Sequence, residues 1–193
     1  MRRASRTAGR LLEVKKLALL LLVCACKSAP APAPAAAASD DARAYYPLAV
    51  GNSWTYDVAG KRETITIVGR DGAWFIDDHR GRLRYEKDGV RDSDRYLLRS
   101  PLSSGAQWTA VENLVVQRFE VVATDASAVT EAGTFTRCAV VRNEQPLPKG
   151  GKFITEWKYA PKVGLVELVT RTLLASGKAQ DQTRMHLVAY RVQ

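Results

Sequence analysis

Apolar residues recur at every second position through most of residues 45–193. In "RETITIV" (62–68), Ile65 and Ile67 alternate with threonines. In "RLRYE" (82–86), Leu83 and Tyr85 fall on one side and Arg82, Arg84 and Glu86 on the other. Successive side chains of a strand point to opposite faces of the sheet, so a period of two marks strands with one face packed and one solvated. Further strands are expected at 54–58, 73–77, 108–111, 114–122, 135–142, 152–159, 164–173 and 183–192. Asp71-Gly72 and Lys87-Asp88-Gly89 separate alternating segments and read as hairpin turns, where glycine accepts the positive φ of a tight turn. The prediction is a mainly β fold: a single antiparallel meander of nine or ten strands. It must curl into a barrel, a half-barrel or a two-layer sheet to bury its apolar face.

Ahead of residue 45 the alternation stops. "KSAPAPAPAAAASDDARA" (27–44) holds no bulky apolar residue, and its Ala-Pro alternation favours extended polyproline II. At ~3.1 Å per residue such a tether reaches roughly 55 Å when fully extended. Before it lie a basic stretch (Arg2, Arg3, Arg6, Arg10, Lys15, Lys16) and the apolar run "LALLLLVCA" (17–25). This is the layout of a secretory signal, and the run is well short of the ~20 residues that a spanning helix needs.

The run ends in "VCAC" (23–26), which resembles the lipobox of bacterial lipoproteins. Cys26 has Val23 at −3 and Ala25 at −1, whereas Cys24 would place the bulky Val23 at −1, so Cys26 is the expected lipidation site. The resemblance implies cleavage before Cys26 and a membrane anchor of acyl (palmitate-type) chains. One chain holds only marginally, and several hold firmly. Lys27, where Asp would retain a lipoprotein at the inner membrane, favours the outer membrane, with the domain facing the periplasm. The expected organisation is a signal peptide at 1–25, a lipidated Cys and tether at 26–44, and a β domain at 45–193.

Processing changes the charge argument. The chain carries 29 basic and 20 acidic side chains, a net +9, but six of the bases and one acid fall in residues 1–25. The remainder, 23 against 19, is an ordinary soluble surface and gives no reason to expect nucleic acid as a partner.

"PLAVGNSWT" (47–55) returns as "PLSSGAQWT" (101–109), sharing P-L-x-x-G-x-x-W-T. Proline fixes φ, leucine is a ready plug, glycine permits a sharp turn, and tryptophan opens the strand that follows. The repeat therefore reads mainly as architecture. In the alternative reading Trp54, Trp108 and Trp157 line a pocket for an apolar chain or a glycan. A looser relative, "YAPKVGLVEL" (159–168), keeps the proline, the glycine and the strand.

"YYPLAVGNSWTYDV", "EAGTFTRCAVV" (131–141) and "WKYAPKVGLVEL" (157–168) occur in that order. They are similar to the Y-x-P-L-x-x-G-x-x-W-x-Y, A-G-T-F-x-x-C and Y-A-P-x-V-G-L-V signatures of a set of bacterial envelope lipoproteins of uncharacterised function. The resemblance implies an antiparallel β domain in the cell envelope and brings no catalytic residues with it. Lys162 stands where that pattern favours Gly.

Candidate chemistry is thin. "DDH" (77–79) offers metal-ligating side chains, yet it reads as a hairpin loop and needs the distant His186 to complete a ligand set. "DGVRDSD" (88–94) lacks the spacing of a calcium loop and reads as a solvated turn. Cys138 lies within an expected strand and reads as a small buried group. No nucleophile-elbow, phosphate-loop, zinc-protease or dinucleotide motif occurs. The expectation is therefore a non-enzymatic accessory or interaction module, without cofactor or metal, that contacts another envelope protein. The alternative is a carrier holding a lipid or glycan inside a curved sheet.

Overall fold

A computed structural model describes residues 40–193, which form one twelve-stranded antiparallel sheet. The strands are β1 (Ser53–Val58), β2 (Lys61–Asp71), β3 (Trp74–Asp77), β4 (Arg82–Glu86), β5 (Gly89–Arg91) and β6 (Tyr96–Arg99), followed by β7 (Gln107–Glu112), β8 (Val115–Thr130), β9 (Gly133–Pro146), β10 (Lys152–Ala160), β11 (Gly164–Leu173) and β12 (Ala179–Arg191). Their spatial order runs from β6 back to β1, then from β12 back to β7. Every strand thus pairs with its sequence neighbour except at two places: β1 pairs with β12, and β6 and β7 share no ladder. The meander is a nearly closed barrel whose seam lies in mid-chain.

With twelve strands the meander exceeds the expected nine or ten, two of them falling outside the ten segments expected. The additional ones are β5, of three residues, and β6, of four. β5 offers one apolar side chain, Val90, and β6 opens on the unbroken apolar run Tyr96-Leu97-Leu98, so neither shows an alternation to read. At Asp71-Gly72 the turn forms as expected, with Gly72 at φ 58°. Gly89 is needed for a different reason: a Cβ there would lie 2.2 Å from the Leu98 carbonyl oxygen, so glycine lets β5 and β6 approach.

Alternation sets the inward face. Trp54 and Tyr56 of β1 point in, while Thr55 reaches the neighbouring strand on the outside, its hydroxyl 2.8 Å from that of Thr64. On β8 the inward positions are Gln117, Phe119 and Val121, then Ala128 after register shifts between 121 and 128. Bulges of this kind change which parity faces the core and tighten the bend a barrel requires.

Residues 40–48 plug one end. A 3₁₀ turn, Ala42–Tyr45, buries Ala42 and Tyr45, and Leu48 is buried behind it. Long-range hydrogen bonds tie it in, among them Leu102 N–H to the Asp40 carbonyl (2.9 Å), Ala42 N–H to the Ser100 hydroxyl (2.8 Å), Lys162 N–H to the Ala44 carbonyl (2.7 Å) and the Tyr45 hydroxyl to the Arg137 carbonyl (3.1 Å). The expected tether–domain boundary at 44/45 therefore falls inside a packed turn, and the folded part already includes Ala42. Cys26, the signal segment and residues 27–39 of the tether lie outside the described residues.

Candidate functional site

The two copies of the repeat build the same local structure. In the first, Gly51 N–H donates to the Ile67 carbonyl (2.8 Å), Ile67 N–H donates back to the Asn52 carbonyl (2.9 Å), and Asn52 N–H closes a turn on Ala49 (3.1 Å). In the second, Gly105, Val121, Ala106 and Ser103 repeat these contacts at 2.7, 2.9 and 3.0 Å. Both glycines have positive φ, 93° and 86°, and both leucines, Leu48 and Leu102, are buried.

The two tryptophans also match. Trp54 is 2% and Trp108 5% exposed, and each indole N–H donates to a carbonyl of the chain itself: Trp54 to Val163 (2.6 Å), Trp108 to Tyr96 (3.1 Å). A buried indole needs such a partner. Trp108 also carries out a second task, because Tyr96 is on β6 and Trp108 on β7. Its ring bridges the seam that no ladder closes. The looser relative joins in through Val163, the acceptor for Trp54, and through Gly164, whose Cβ would lie 3.2 Å from the Trp54 indole nitrogen.

The structure separates the three tryptophans into two regions. Trp54 belongs to a cluster with Tyr56, Ile67, Phe75 and Val166. Trp108 stacks on Phe119 (5.8 Å between ring centres), and Phe119 in turn contacts the half-buried Trp157 (6.0 Å). Tyr46 and Leu165 pack against both clusters, so the two form one continuous filling. Burial holds the phenols of Tyr46, Tyr56 and Tyr159 well above their ordinary pKa, so they remain donors, as the Tyr56 hydroxyl does to the Leu165 carbonyl (3.1 Å).

The mouth of the barrel opposite the plug is polar. The Arg95 guanidinium lies between the faces of Phe119 (4.8 Å) and Trp157 (4.6 Å) and pairs with Glu112 across the seam (3.4 Å). Beside it, Asn143 and Gln145 both donate to the Gln117 side-chain oxygen, at 3.1 and 2.9 Å. Gln145 also donates to Asn143 (3.2 Å), and Asn143 to the Arg118 carbonyl (2.9 Å). This amide network satisfies its own members and offers no nucleophile or base. No sequence motif signals it, because Gln117, Asn143 and Gln145 are ordinary residues until strand pairing brings them together.

The residues considered for chemistry have structural tasks. The Asp77 carboxylate accepts N–H groups from His79 (2.9 Å) and Gly81 (2.6 Å) and so caps the β3–β4 hairpin, while Asp78 accepts that of Thr66 (2.9 Å) and ties the hairpin to β2. In "DGVRDSD", Asp92 caps the next connection by accepting from Asp94 and Arg95, while Asp88 accepts from Tyr96 and Arg99. His186 lies 3.4 Å from Glu131, on another hairpin. Among the described residues no cluster of three or more His, Cys, Asp and Glu side chains is placed to hold a metal ion. Cys138 is buried, and burial pushes its thiol up to about 11.

The site features thus define a self-filled antiparallel barrel with its polar chemistry at the rim. No protein-family profile and no curated protein matches the sequence, so the three signatures stand as a resemblance. Two solved structures are similar in fold. One, from Bacteroides fragilis, is described as an exported protein by inference, with a YmcC-like fold; it is 14% identical, with a TM-score of 0.48. The other, from Parabacteroides distasonis, is described as a lipoprotein by inference; it is 11% identical, with a TM-score of 0.40. Each comparison covers 76% of this chain and 98% of the other.

Proposed function

We propose that this chain is a lipid-anchored module of the bacterial cell envelope that works by contact through its outer surface and not by catalysis. The anchor is Cys26, cleaved free of residues 1–25, and the location is the outer membrane on its periplasmic side. Supporting the anchor are the basic segment, the short apolar run and "VCAC" in the sequence. The observation that carries the contact reading is the filled interior. The plug, the two core clusters and the self-bonded indoles occupy the space that a carrier would keep for its ligand. A charged cleft between Arg118, Glu120, Arg142 and Glu144 lies on the outward-facing side chains of β8 and β9, and Trp108 borders shallow clefts beside Arg99 and Gln107 at the seam.

The test is to purify the processed chain from its host's envelope, intact and without harsh detergent, and record its native mass. The expected result is an acyl increment on Cys26, no second small molecule, and co-purification with another envelope component. A stoichiometric lipid or glycan released on extraction would replace this reading with the carrier one and direct mutagenesis to Trp54, Trp108 and Trp157.

A further inference from the structure

We propose that three hairpin tips on one rim of the barrel seat on an anionic lipid surface, with Leu114 leading. The proposal deepens the contact reading above and rests on it for the presence of a bilayer near the domain. Strand registers place the tips side by side. Phe119 pairs with Asn143, Lys152 with Pro146 and with Leu173, and Leu173 with Ala179. The turns joining β7 to β8, β9 to β10 and β11 to β12 therefore lie on the same end, away from the plug.

The tips read "NLVV" (113–116), "LPKGGK" (147–152) and "LASGK" (174–178). They contain Lys149, Lys152 and Lys178 and no acid. The acids on the strands behind these tips each stand beside a base: Glu112 with Arg95 (3.4 Å), Glu144 with Lys152 (2.6 Å), Asp181 with Arg171 (4.0 Å); Asp92 and Asp94 lie apart from them on the β5–β6 turn of the same end, Asp92 also near Arg95 (3.9 Å). Leu147, Pro148, Leu174 and Ala175 line an apolar groove between the second and third tips. Leu114 is 97% exposed and holds φ at 64°, a conformation that glycine or asparagine adopts with less strain. Val111 and its cross-strand partner Val116 are 65% and 68% exposed, and Val115, on the opposite face, is exposed as well. A hairpin exposed on both faces projects beyond the body of the barrel.

Exposed apolar residues are normal singly, but a contiguous group of them marks a contact surface. The composition selects the partner. Protein contacts are enriched in aromatic residues and Arg and depleted of Lys, whereas these tips hold neither an aromatic residue nor an Arg. Aliphatic side chains entering the acyl boundary, with lysines at the phosphates, is the pattern of a lipid surface. The chain also reaches. Asp40 is held at Leu102, at the opposite end of β7 and about 20 Å from the tip for a six-residue strand. Residues 27–39 extend to roughly 40 Å. A bilayer that holds Cys26 is therefore within reach of the rim.

The experiment uses the full-length chain, processed by a bacterial host and mixed with vesicles of phosphatidylethanolamine and phosphatidylglycerol. Leu114→Cys carries a polarity-sensitive fluorophore, Val129→Cys at the far end of β8 serves as the reference, and buried Cys138 escapes labelling. The expected result is a blue shift at 114 and at least about fivefold more quenching there by spin-labelled lipid than at 129. The shift should weaken by about fivefold for each of Lys149→Glu and Lys178→Glu, and in phosphatidylcholine vesicles. An acyl increment on Cys26 with the 114 label as aqueous as the 129 label overturns the rim proposal and leaves the anchor standing. A buried 114 label on a chain without the acyl increment does the reverse. A shift that requires added envelope protein overturns the lipid seat in favour of a protein one.

Discussion

Replacing Trp108 by Phe tests whether a side chain closes this barrel. The indole N–H to the Tyr96 carbonyl (3.1 Å) and the Arg95–Glu112 pair (3.4 Å) are side-chain links across a seam where β6 and β7 share no ladder. Trp108→Phe removes a hydrogen bond with a net value of about 1 kcal/mol and leaves a carbonyl short of a partner. The smaller ring opens roughly 40 Å³, which at ~24 cal/mol per Å³ costs about 1 kcal/mol more. The expected loss is about 2–3 kcal/mol in urea unfolding. Trp54→Phe loses a matching bond to Val163 and should cost about the same. Amide hydrogen exchange separates the two. Trp108→Phe should accelerate exchange in 96–99 and 107–112 beyond the global change, whereas Trp54, whose strand is laddered on both sides, should not do so in 53–58. A Trp108→Phe loss below about 0.5 kcal/mol, or unchanged local protection at the seam, would refute the closure argument.

Three further outcomes follow from backbone geometry and charge. Lys162 holds φ 62°, so Lys162→Gly should gain about 0.5 kcal/mol in thermal unfolding, relief of left-handed strain outweighing the added chain entropy; a loss would show that the Lys side chain matters more. Gly151→Ala should cost at least about 2 kcal/mol, since φ is 86° and the new Cβ meets the Leu173 carbonyl oxygen at 2.3 Å, whereas Gly72→Ala, with open space around it, should cost about 1 kcal/mol. Burial alone would raise the Glu167 carboxyl, but hydrogen bonds from Lys158 (2.8 Å) and Arg184 outweigh it and hold the group below its ordinary value. With the folded value the lower one, its stabilisation is full above the unfolded carboxyl's ~4.3 and is lost as pH falls through the folded value. Glu167→Gln should therefore flatten the acid limb of stability against pH, and an unchanged limb would remove Glu167 from the account.

Period-two alternation made ten of the strands legible, because each had enough residues to show two faces. It failed at Gly89–Arg91, which offers one apolar side chain, Val90, and at Tyr96–Arg99, where Tyr96-Leu97-Leu98 is a continuous apolar run with no alternation. The repeat's role was also legible, since glycine and proline constrain the backbone wherever they occur. The acceptors of the two indoles were not, because Val163 and Tyr96 are assigned by tertiary pairing, and a backbone carbonyl has no signature in sequence. Gln117, Asn143 and Gln145 stayed hidden for the same reason. Leu114 was visible as a residue, but its exposure depends on where the turn falls: the strand expected from 114 starts at Val115, which leaves Leu114 at the apex.

The plug also determines where mechanical load would go. A pull on the chain ahead of Asp40 meets the Leu102 N–H, the Ser100 hydroxyl that holds Ala42 (2.8 Å) and the Lys162 N–H before it reaches β1. These groups sit on the β6–β7 and β10–β11 connections, on opposite parts of the sheet, so tension spreads over both instead of peeling β1 from β12. Tension applied at the N-terminal side is thereby taken up through the middle of the chain, and the terminal strand pair is shielded from the strain.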